Sequence, residues 1–172
     1  MDIKIEHIFD ADIELFEKIW NDQKIIQEEI FPKLPNMKSR EVKEERKDKG
    51  ILHRTVKYTG DSKLLDLIPG ARKVVKEHML CWHEETKYYP DKHYYEFKVI
   101  PDFFKDRAKF EGECNLVSQG NKTKRTIKGK LEIKAPFVTR KIIEKVISKL
   151  LSDVTNAEFK ALSEVISKTE KV

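Results

Sequence analysis

The residues of this chain that could do chemistry are scattered, not assembled. Its histidines are His7, His53, His78, His83 and His93. His78 and His83 are five apart on one strand-like run, and an odd separation turns them to opposite faces. That geometry does not suit a shared metal ion. Glu84 and Glu85, as neighbours, also face apart and make no catalytic carboxylate pair. HExxH, Gly-x-Ser-x-Gly, P-loop and GxGxxG patterns are absent. Cys81 and Cys114 match no metal-ligand spacing; they read as reduced, mostly buried thiols, with a disulfide as the alternative. The sequence offers no catalytic residue, no metal site and no cofactor motif. Hydrolysis and phosphoryl transfer find no positive support.

Charges on otherwise apolar strand faces are more telling. Arg54 shares its parity with Leu52, Val56 and Tyr58, while His78 and Glu84 share theirs with Leu80, Trp82 and Tyr88. An inward charge needs a partner. Three explanations stay open: a shifted register or exposure at a strand end, a structural ion pair, or contact with a polar ligand head. In the third, Arg54 reads an anionic head group, and Arg54→Ala weakens binding without unfolding the domain.

The elements that must position these residues follow from periodicity. Ile3 to Phe9 alternates as a strand. Asp10 or Asp12 can cap a helix carrying Ile13, Phe16, Ile19 and Trp20, and a second helix over Gln23 to Phe31 ends at Pro32 and Pro35. Strands are expected over Lys38 to Asp48 (weak in register), Leu52 to Tyr58, Lys73 to Tyr89, His93 to Val99, Ala108 to Leu116 and Lys124 to Lys134. Thr59 to Arg72 breaks the pattern and holds an apolar knot, Leu64 to Ile68, read as a short helix or folded-over loop. After Pro136 the period becomes helical through Ile143, Val146, Ile147, Leu150, Val154, Ala157, Ala161 and Val165. An apolar stripe on a helix running from about Thr139 to Ser167 needs a large surface to bury it, and only the preceding sheet is available. Consecutive strands with short turns favour an antiparallel meander. A strongly curved sheet leaves space that a helix cannot fill, so a cavity is expected beside it.

The expected wall of that cavity comprises Val56, Tyr58, Leu80, Trp82, Tyr95, Phe97, Phe110, Leu131, Ile143, Ile147 and Leu150, with Arg54 and His78 as polar members. Ordinary core packing is the competing reading of the apolar ones, and ligand pockets are themselves mostly apolar with a few oriented polar groups. Phe103 and Phe104 lie in a loop and are read as a lid, against simple packing of the loop on the sheet. The row Lys122, Lys124, Lys128, Lys130 and Lys134 reads as a solvated outer face. Attraction to anionic lipid or RNA is the alternative, but the strand lacks the interleaved aromatics of a single-strand binder.

Bulk composition agrees with one domain over residues 1–172: 39% of residues are apolar and 38% charged, with a net charge of +5. The mixed charge falls short of a nucleic-acid signature. No run approaches ~20 apolar residues, and the acidic, interrupted start does not resemble a signal peptide, so a cytoplasmic location is expected.

Certain segments carry a family likeness. Ile8-Phe9-Asp10-Ala11-Asp12-Ile13-Glu14-Leu15-Phe16 resembles the passage from first strand into first helix of the SRPBCC superfamily, whose members share the START-like helix-grip fold. Trp20-Asn21-Asp22 resembles the end of that helix. Ile133-Lys134-Ala135-Pro136-Phe137, leading to Glu144, resembles the junction of last strand and gripping helix, and is especially similar to an uncharacterised bacterial START-like family of unknown function. Thr139 departs from the glycine expected near that junction. The resemblance implies an α+β helix-grip fold of about seven antiparallel strands around a long C-terminal helix. It also implies binding of a lipid or other hydrophobic small molecule, non-catalytically as carrier or sensor. A cyclase- or isomerase-type enzyme and a co-chaperone-like interaction module are the alternatives. Transient contact with an anionic membrane surface is a further partner expectation; nucleic acid is not expected.

Overall fold

The computed structural model describes residues 1–103 and 105–170. Seven strands form one antiparallel sheet: β1 (Asp2–Phe9), β2 (Met37–Asp48), β3 (Ile51–Gly60), β4 (Cys81–Tyr89), β5 (Tyr94–Pro101), β6 (Ala108–Gln119) and β7 (Lys122–Ile133). Their order across the sheet is β1-β7-β6-β5-β4-β3-β2, so β2 to β7 form a meander and β1 joins its far side. Two-residue turns close two of the hairpins. Lys49 and Gly50 both take positive φ, as a primed turn requires, and Gly120 does so after β6.

Between β1 and β2 the chain is helical. Asp12 Oδ1 accepts from the Leu15 amide at 2.8 Å and starts α1 (Ile13–Trp20). Asp22 caps α2 (Gln23–Ile25) in the same way; the chain then widens into a π turn over Ile26–Ile30 and tightens into a 3-10 turn over Phe31–Lys33. The final helix α4 runs Phe137–Glu170, beyond the expected bounds at both ends.

One expected element is corrected. The run from Lys73 is not strand. It holds the short helix α3 (Ala71–Val74) and a 3-10 turn at Glu77–Met79, and β4 begins only at Cys81. The apolar knot folds as a 3-10 helix over Ser62–Leu67, with Leu64 and Leu65 buried.

The core has two parts. One joins Phe9, Phe16, Ile19, Ile30, Tyr88, Tyr95, Cys114 and Leu116 to the last turns of α4 at Ala161, Leu162, Val165 and Ile166. The other joins Leu64, Leu65, Ile68, Ala71, Val75 and Leu80 to Val146 in the first half of α4. A compact domain usually builds one contiguous cluster. Here the inner-face residues between the two clusters belong to neither.

Candidate functional site: the inner face of the sheet

Register places the inner face in rows. Val42, Val56, Glu84, Val99, Phe110 and Leu131 stand opposite one another from β2 to β7. The next row is Arg54, Thr86, Phe97, Gly112 and Gly129. A third is Arg40, Tyr58 and Trp82. Alternation along β3 therefore sets Arg54 and Tyr58 on either side of Val56, whose cross-strand partner is Glu84.

Gly112 and Gly129 face each other and leave room for aromatic rings. A Cβ at Gly129 would lie 2.6 Å from Phe110 Cε2, and one at Gly112 would lie 2.8 Å from Phe97 Cζ. The Phe97 and Phe110 rings lie 5.2 Å apart, and Tyr58 stacks on Trp82 at 5.8 Å.

Most of this face is only partly buried. Arg54, Tyr58, Trp82, Glu84, Phe97, Ile143, Ile147 and Leu150 all keep accessible surface. Yet burial is the largest influence on the ionisation of both Tyr58 and Glu84. The two facts agree if their free surface borders interior space. Helix α4 fits this: it lies closer to the short helices and β7 than to β3, β4 and β5.

The polar groups on this face are unequal in their partners. Arg54, its side chain 10% exposed, donates from Nε to Glu45 Oε2 at 2.8 Å, while its buried Nη2 has no partner among the described residues. Arg40 donates to Tyr58 Oη at 3.4 Å and to the side chains of Gln23 and Gln27. The Glu84 carboxyl makes no ion pair among the described residues. Burial pushes its pKa up to about 7; the Glu158 carboxylate adds to the rise, and Arg40 and Arg54 oppose it.

A second polar unit anchors α4. Arg125 on β7 is wholly buried, bonds Glu158 of α4 and His7 of β1, and lies over the rings of Phe9 and Trp20 at 5.1 and 5.2 Å. Neither Arg125 nor Glu158 was expected at the site. Arg125 shares the parity of Ile127 and Leu131, and that parity is the signal that could have revealed it.

The other expected wall residues are distributed unevenly. Tyr95 belongs to the first core cluster, stacks on Tyr88 at 4.3 Å and bonds Asn21 at 3.0 Å. Leu80, Ile143 and Leu150 pack with the second cluster. His78 is corrected: it stands exposed on the 3-10 turn before β4, where its ring meets the edge of Phe103 at 4.9 Å. Phe104 lies outside the described residues. Cys81 and Cys114 are free thiols, and burial raises the Cys114 pKa to about 12. Among the described residues no three His, Cys, Asp or Glu side chains gather closely enough to hold a metal ion.

A curved antiparallel sheet gripping a long C-terminal helix, with short helices after the first strand, is the START-like helix-grip fold. Three solved structures show the likeness. A START superfamily protein from Mycobacterium smegmatis is 14% identical with a TM-score of 0.59, covering 95% of this chain and 98% of its own. The Zhui aromatase/cyclase from Streptomyces sp. R1128 is 12% identical at 0.67, over 96% and 95%. Norcoclaurine synthase from Thalictrum flavum is 16% identical at 0.63, over 96% and 86%. No curated protein matches the sequence. The chain belongs to a family described as "Protein of unknown function (DUF2505)", which matches residues 4–166.

Proposed function

We propose that the chain binds a lipid-like or other hydrophobic small molecule, without catalysis, between the inner face of the sheet and the first half of α4. The observation that carries this reading is the divided core. Between its two clusters Tyr58, Trp82, Phe97 and Ile147 keep accessible surface, while Val56, Phe110 and Leu131 beside them are buried. Ligand pockets take this form, apolar walls with a few oriented polar groups. Native mass spectrometry of gently purified protein tests it. The expected result is a bound mass that organic extraction removes and that Ile147→Trp, which fills the space, reduces. A homogeneous apo mass, with no uptake of added hydrophobic probes, overturns the reading.

A cyclase- or isomerase-type enzyme is supported by one observation: Glu84, near neutrality in pKa, flanks Tyr58 on the same face and could exchange protons with a bound molecule. Turnover that Glu84→Gln abolishes would favour it.

Contact with an anionic membrane surface is supported at the start of α4. Phe137 and Val138 are 64% and 69% exposed, and Arg140 and Lys141 flank the Phe137 ring at 5.6 Å. No described helix is long and apolar enough to cross a membrane. Binding to phosphatidylserine vesicles, weakened by Phe137→Ser, is the expected outcome; equal sedimentation with and without vesicles removes the contact.

A further inference from the structure

Within the proposed pocket, three hydrogen-bonding groups stand together with capacity to spare. Arg54 Nη2 is shut off from solvent and has no partner among the described residues. Such a donor is costly to leave unsatisfied, and more so because it is charged. Beside it, across Val56, the Glu84 carboxyl has no hydrogen-bond partner among the described residues and keeps accessible surface. Two residues further along β3, the Tyr58 oxygen accepts from Arg40, and its own hydrogen has no acceptor among the described residues. A protonated Glu84, a tyrosine hydroxyl and a guanidinium edge are all donors.

Charge narrows the class of partner. Around Glu84 stand Arg40 from β2, Arg54 and Tyr58 from β3, and Glu158 from α4, the last tied to Arg125 and through it to His7. Glu158 neutralises Arg125, Glu45 neutralises Arg54, and among the described residues Arg40 is bonded only to neutral groups. Burial holds His7 toward its neutral form, with Arg125 adding to the effect. With Glu84 protonated, one positive charge among these groups, that of Arg40 beside Tyr58, is left uncompensated. One negative charge balances it; a phosphate monoester, at about −1.5 to −2, would exceed it.

We propose that the occupant is an amphipathic carboxylic acid, its carboxylate seated against Arg54, Tyr58 and protonated Glu84 and its apolar body over Trp82, Phe97 and Phe110. This rests on the pocket reading above and adds the head group. It also makes binding proton-coupled. The ligand carboxylate and an ionised Glu84 would compete for the same positive field, that of Arg40 and Arg54, so a bound acid keeps Glu84 protonated. Affinity is then flat below the free-protein pKa, about 7, and falls above it by up to about tenfold per pH unit, until Glu84 ionises in the complex too.

Titration calorimetry with decanoic acid and 1-decanol on the delipidated chain tests both parts. The acid is ionised across pH 6 to 8.5, so any pH dependence belongs to the protein. At pH 6 decanoate is expected to bind at least about tenfold more tightly than the alcohol, a preference that Arg54→Met removes. From pH 7 to 8 its Kd is expected to rise several-fold while that of the alcohol does not. Proton uptake should appear as a dependence on buffer ionisation heat, and the near-isosteric Glu84→Gln should abolish both effects. Equal affinity for the two probes, or a pH-independent Kd for decanoate in the unaltered chain, overturns the head-group inference and leaves the pocket reading standing. If neither probe binds, both fall. The pH arm needs no variant, so it holds even if Arg54→Met misfolds.

Discussion

Ionisation of Glu84 is a stability statement as well as a binding one. In an unfolded chain a glutamate ionises near pH ~4.3, whereas burial here holds it to about 7. Its contribution is fully present below the lower value. It is lost as pH rises toward 7, because only the unfolded chain gives up the proton over that window. The loss is of order 3–4 kcal/mol. Urea denaturation should show it between pH 4.5 and 8, and Glu84→Gln should remove this part of the pH dependence. Arg125 is a contrasting case. Its buried guanidinium already has a carboxylate, so Glu158→Ala should cost about 3–5 kcal/mol by stranding the charge. A double variant that also replaces Arg125 with Met should recover much of that loss in the same denaturation assay. Arg125 was hard to see in the sequence. It sits among Lys122, Lys124, Lys128 and Lys130, and only its odd parity sets it apart. Its partner Glu158 lies on another element, which no local pattern joins to β7.

At the scale of elements, the sheet was legible where one face is dry and the other wet. β7 alternates strictly, and its register against β6 follows that alternation. The helical period after Pro136 likewise announced α4. What misled was Lys73 to Leu80, where one helical turn and one 3-10 turn bring apolar side chains at spacings that mimic alternation. On a strand His78 would share the inward parity of Leu80 and Trp82; on the 3-10 turn it stands exposed. The glycine pair in β6 and β7 was legible by type but not by consequence. A methyl group at Gly112 would meet Lys128 O at 2.0 Å, backbone that cannot swing aside. Gly112→Ala should therefore destabilise by about 1–3 kcal/mol or more, read from urea midpoints, and should disturb the Phe97 and Phe110 rings of the wall.

Over the whole molecule, α4 is held unequally along its length. Its last turns bury Ala161, Leu162, Val165 and Ile166, whereas in its first half Val146 is the buried residue and the partners come mainly from the 62–80 segment. Amide hydrogen exchange should be faster in residues 137–156 and 62–80 than in 157–168, and a bound ligand should slow it there. Equal protection along the helix would mean that a ligand passes elsewhere. The edge strand β2 shapes the protein's behaviour in company. One long side of it is left without a neighbouring strand, and every side chain from Glu41 to Asp48 is exposed, with Val42 the lone apolar one. Such an open ladder is a template on which another polypeptide could add itself. Dense alternating charge, with a bulge between Val42 and Glu44, makes a second copy a poor fit. Clearing Glu44 and Arg46 to valine should turn a well-behaved solution into one that self-associates, growing with concentration in light scattering.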